Sequence, residues 1–151
     1  MSTLLSLQEQ TATNEFDRVY PLDGSTSISL YKKGIFYGLL RDGEAITEPI
    51  YTPDVRIISD RYAVVRLFKP VSYHNNGAII DLHTGKEVFN GFNAYFIRPN
   101  ACIAFRVDGP NDSMRWGIFS IIEDKLISDP VISLTYLHQY VEAYLSKFTY
   151  E

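Results

Sequence analysis

The chain has 151 residues, a length suited to one domain that buries a real core without covalent staples. A net charge of −4 and a pI of about 5.3 exclude a general phosphate-backbone binder, which needs a basic stripe. The single cysteine, Cys102, excludes an intramolecular disulfide and a cysteine-based zinc site.

The aromatic content, with 11 Tyr and 9 Phe, favours strands, where broad side chains pack on a pleated surface. Residues 2–10 carry Leu4, Leu5 and Leu7 and read as a short helix. They lack the basic lead and apolar stretch of a signal peptide, and no run reaches a membrane span. The expected location is therefore the cytoplasm. A hairpin follows at Leu39-Leu40, Asp42-Gly43 and Ala45-Ile46, with Asp-Gly as a strong turn dipeptide. Pro49 ends its second arm, since proline cannot donate to a ladder. Tyr62 to Phe68 reads as a strand with Ala63, Val65 and Leu67 on one face and Val64 and Arg66 on the other.

The pattern then recurs. Gly38, Gly77 and Gly117 lie 39 and 40 residues apart. Ala63-Val64-Val65-Arg66-Leu67 matches Ile103-Ala104-Phe105-Arg106-Val107 at an offset of 40, and Pro70 and Pro110 share it. The counterparts of the Asp42-Gly43 turn are Thr84-Gly85 and Glu123-Asp124, and Pro130 is the counterpart of Pro49. A shared period near 40 across independent landmarks predicts about three degenerate units over residues 16–132. The chain is thus read as a single domain over 1–151. Its fold class is all-β, an antiparallel repeat array of hairpin-plus-strand units.

After Pro130 the period changes. Leu134, Leu137, Val141, Leu145 and Phe148 recur at spacings of three and four, which predicts an amphipathic helix over 134–148. Tyr136, Tyr140 and Tyr144 recur every four residues beside the leucines. Two roles stay open: the helix covers the open end of the sheet, or the tyrosines form a partner-facing ridge.

These residues resemble the WG-repeat family, also written KWG. Trp116-Gly117 is the literal Trp-Gly, Tyr37-Gly38 keeps an aromatic with the lead-in Lys32-Lys33-Gly34, and Asn76-Gly77 lacks the aromatic. Phe16-Asp17-Arg18-Val19-Tyr20-Pro21 is similar to the tail of a preceding unit. The resemblance implies a β-rich array that serves as a binding scaffold, common in bacteria, with no catalytic residues to carry over.

Tests for chemistry come out empty. Asp81 and His83 share a face and could orient a base, but no nucleophile accompanies them. Carboxylate pairs such as Asp42/Glu44 and Glu123/Asp124 flank turns, and neither metal-ligand spacing nor a glycine-rich phosphate loop is present. Arg66 and Arg106 recur on the outward face, with Arg41 and Arg115 beside the glycine strands. They suit either carboxylate or phosphate recognition or cross-strand pairing with Asp or Glu. The expectation is a non-enzymatic protein-binding module of inhibitor or immunity type, with no cofactor, nucleic acid or membrane. The candidate contacts are Tyr136, Tyr140, Tyr144, Arg66 and Arg106. The alternative is a small-ligand or glycan-binding β-repeat protein.

Overall fold

The computed structural model describes residues 16–25 and 27–148. The helix expected over 2–10 lies outside them. The chain divides into two compact units, Met1–Lys69 with Ile80–Glu87, and Pro70–Ile79 with Val88–Glu151. Both are mostly antiparallel β.

Unit 1 contains β1 (Arg18–Pro21), β2 (Ile28–Lys33), β3 (Phe36–Arg41), β4 (Glu44–Ala45), β5 (Tyr51–Ile57) and β6 (Tyr62–Leu67). Their order is β1-β2-β3-β5-β6, with β4 paired to β3. The β3–β4 turn is the expected one. Asp42 and Gly43 both have positive φ, at 52° and 86°, which matches the twist of a two-residue hairpin. The second arm is only two residues long, so the hairpin ends before Pro49 is reached. Strand β5 carries Pro53 and an interrupted register between Tyr51 and Val55, and so lacks the alternation that marks a strand in sequence.

The boundary between units falls inside β7 (Gly77–Asp81) and β8 (Glu87–Phe92). Unit 2 adds β9 (Ala94–Arg98), β10 (Cys102–Asp108), β11 (Met114–Ser120) and β12 (Lys125–Ile132) in the order β12-β11-β10-β9. Pro130 does not end its strand: β12 runs on to Ile132. At the edge of the sheet a missing N–H deprives no neighbour of a bond. Helix α1 (Leu134–Leu145) follows Ser133 and ends in a 3-10 turn over Ser146–Phe148.

The one-sided burial expected from alternation in Tyr62–Phe68 and Cys102–Val107 does not hold in β6 and β10. Ala63, Val64 and Val65 are all buried, as are Cys102, Ile103, Ala104 and Phe105. Both faces of β10 are covered within unit 2. Cys102 and Ala104 meet Trp116, Ile118, Leu137 and Val141, and their small side chains let the helix lie close. On the other face Phe105 packs against Phe89 and Phe92, at ring separations of 4.2 and 5.6 Å. Each large apolar side chain buried in this way contributes roughly 1.5–3 kcal/mol.

Three glycines share one device. A Cβ at Gly38 would lie 2.5 Å from the Tyr31 ring, one at Gly77 2.5 Å from the Phe92 ring, and one at Gly117 2.5 Å from the Phe105 ring. Tyr31 is the cross-strand partner of Gly38, and Phe105 that of Gly117. The absent side chain is what lets a broad ring lie on the neighbouring strand.

Candidate protein-binding surface

Helix α1 turns Leu137, Val141 and Tyr144 into unit 2. The same period carries Tyr136 and Tyr140 to a flank, where they are 56% and 57% exposed. Beside them Val131, at the end of β12, is 70% exposed. Tyr136, Tyr140, Val131, Ser133 and Arg115 line a groove of about 290 Å³. The Arg115 guanidinium donates from Nη1 to its neighbour's carbonyl, Met114 O, at 2.9 Å. Among the described residues it forms no ion pair. The groove therefore combines two phenols, an exposed valine and an uncommitted cation.

Tyr144 does not join that surface. It is buried, and its hydroxyl bonds to Ser120 Oγ at 2.5 Å and to the Glu123 carboxylate. Burial and the adjacent Glu123 carboxylate push its hydroxyl up to about 12. The fourfold spacing in the sequence makes the three tyrosines equivalent. The helix does not, because Tyr144 shares the stripe of Leu137 and Val141 at spacings of seven and three. Leu134, expected on the apolar stripe, is 69% exposed in the first turn.

Arg66 and Arg106 are both paired with an aspartate, Arg66 across to the neighbouring strand β5 and Arg106 within its own strand β10. Arg66 Nε lies 3.9 Å from Asp54. Arg106 grips Asp108 with both arms, Nε to Oδ1 at 2.7 Å and Nη2 to Oδ2 at 3.1 Å. Burial opposes ionisation of Asp108, but the bonds from Arg106 and Asn93 outweigh it and hold the carboxyl below its usual range. A guanidinium committed in this way has less left for a partner.

The Asp81–His83 pair makes a turn rather than an orienting contact for a base. Asp81 Oδ1 accepts the backbone N–H of His83 at 2.9 Å, and Oδ2 accepts from Arg61 Nη2 at 3.2 Å. Despite burial, which acts the other way, these bonds hold its carboxyl low. Among the described residues no group of three or more His, Cys, Asp or Glu side chains is placed to hold a metal, and no helix is long and apolar enough to cross a membrane. Comparison with family models, curated proteins and solved structures returns no match.

Proposed function

We propose that this chain is a non-enzymatic protein-binding module, an inhibitor or immunity-type protein of a bacterial cytoplasm, that engages its partner through the α1–β12 groove. The observation that carries the reading is the pair of half-exposed tyrosines, Tyr136 and Tyr140, beside Val131 and the uncommitted Arg115. Tyrosine and arginine dominate binding energy at protein interfaces because they bury large area with few rotors or pair in bidentate fashion. The fitting partner segment presents an apolar side chain to the tyrosines and a carboxylate to Arg115.

The repeat reading belongs to the same proposal. Residues 16–132 are about three degenerate WG-like units. The shared packing of Gly38, Gly77 and Gly117 under aromatic rings supports it, because all three glycines then do one job.

The test is a quantitative pull-down from the host with tagged wild type and with the Tyr136→Ser/Tyr140→Ser variant. A partner recovered in near-stoichiometric amount by wild type and lost by the folded variant fits the proposal. Equal recovery by both, or no partner at all, refutes it.

A further inference from the structure

Unit 1 holds a cavity of about 720 Å³. Its walls come from the β1–β2 connection, the end of β3, the β5–β6 turn and the turn after β7. Side chains of both signs line it: Arg41, and Asp23 and Asp60. Among the described residues none of these three enters an ion pair, although opposite charges share the cavity.

The fold keeps them apart. Arg41 is fixed in the β2–β3 ladder opposite Ile28. Its Nη1 makes two long bonds, to Leu82 O at 3.5 Å and His83 O at 3.4 Å. Those bonds hold the guanidinium at the wall and leave most of its fork unspent. Asp60 sits in a turn tightened by Ser59 Oγ, which accepts the amides of Arg61 and Tyr62, each at 3.2 Å. Asp23 precedes Ser25, whose Oγ accepts the amides of Ser27 and Ile28 at 3.3 and 3.1 Å. Local hydrogen bonds thus hold the walls, and among the described residues the charges on them form no ion pair with each other.

We propose that this cavity binds a small zwitterion of the amino-acid or short-peptide kind, with its carboxylate on Arg41 and its ammonium on Asp60 and Asp23. A simple anion would meet two carboxylates, and a simple amine would leave Arg41 unpaired. A ligand carrying both charges satisfies both walls. Among the described residues no Phe, Tyr or Trp lines the cavity, so it lacks the broad apolar ring on which a sugar stacks. Its described lining residues all lie in unit 1, and none of them lines the protein-binding groove.

The experiment is isothermal titration of the full chain with glycine, diglycine and triglycine, which step the distance between the two charges. Acetate and ethylammonium serve as single-charge controls. The expected result is saturable binding, tightest at one length and tighter than either control. Arg41→Gln, and Asp23→Asn with Asp60→Asn, should each weaken it by about tenfold or more, the worth of one charge-assisted pair. Melting curves matching wild type keep those losses interpretable. Zwitterions that bind no better than acetate or ethylammonium, unchanged affinity in Arg41→Gln, or no heat well above about 1 mM ligand would each overturn the proposal.

Discussion

Replacing Gly38 by alanine tests the glycine–aromatic packing directly. The new Cβ would lie 2.5 Å from Tyr31 Cζ and Oη, against the roughly 3.5–4.0 Å of a comfortable carbon contact. Tyr31 cannot swing away freely: it is 2% exposed, and its hydroxyl donates to Thr47 O at 2.7 Å. Overpacking of this kind costs about 1–3 kcal/mol, and a strained hydrogen bond adds about 1. The stiffer unfolded chain offsets about 0.4–1 kcal/mol. The expected net loss is about 2 kcal/mol, or a fall in Tm of roughly 4–8 °C. Urea and thermal unfolding of Gly38→Ala read it. The three nearest atoms all belong to the Tyr31 side chain, so adding Tyr31→Leu should relieve the clash and show coupling of about 2 kcal/mol in a double-mutant cycle. At Gly77 and Gly117 a carbonyl oxygen also lies within 2.9 and 2.8 Å, so shortening the ring there rescues only part. A Gly38→Ala protein within about 0.5 kcal/mol of wild type, or strictly additive costs, would refute the reasoning.

Other consequences follow from buried polar groups. Asn75 is fully buried and clamps Asp108 twice, donating from Nδ2 to its carbonyl at 2.7 Å and accepting its amide at 3.0 Å. Asn75→Ala should cost about 3 kcal/mol or more, since two buried backbone groups lose their partner; chemical denaturation measures it. Burial pushes the Cys102 thiol up, so a thiol reagent at neutral pH should label it only at the rate of unfolding; fast labelling of the folded chain contradicts this. Asp81 and Asp108 have depressed folded pKa values. Their stabilisation is present above the unfolded carboxyl value of about 3.9 and is lost as pH falls through the folded value. The urea midpoint should fall between pH 5 and 3, and fall less steeply in an Asp81→Asn/Asp108→Asn variant; parallel slopes would rule this out.

Much of the local chemistry is legible in the residues. Asp42-Gly43 forms its turn because Asp and Gly accept positive φ, and the stripe of Leu137 and Val141 places the buried face of α1. What is lost is whatever depends on the second layer. Burial of Val64 and Ala104 needs elements on both faces of a strand, and a period of two reports only one face. Tyr136, Tyr140 and Tyr144 look alike at a spacing of four, and only the rotation of the helix against Trp116 and Cys102 separates them. Strand β5 hides behind Pro53 and the interrupted register. The cavity in unit 1 draws on four segments far apart in sequence, so the sequence singles out Arg41 but not the aspartates that face the same space.

The most direct test of the protein-binding account is a hydrogen-exchange footprint of the chain with its captured partner, paired with the partner's affinity for Tyr136→Ser/Tyr140→Ser. The account predicts new protection at Arg115, in residues 128–133 and along the Tyr136–Tyr140 flank. It also predicts affinity lower by about thirtyfold or more, the loss expected when a hot spot of about 2 kcal/mol is removed. Protection confined to unit 1, with affinity unchanged in the variant, would contradict it.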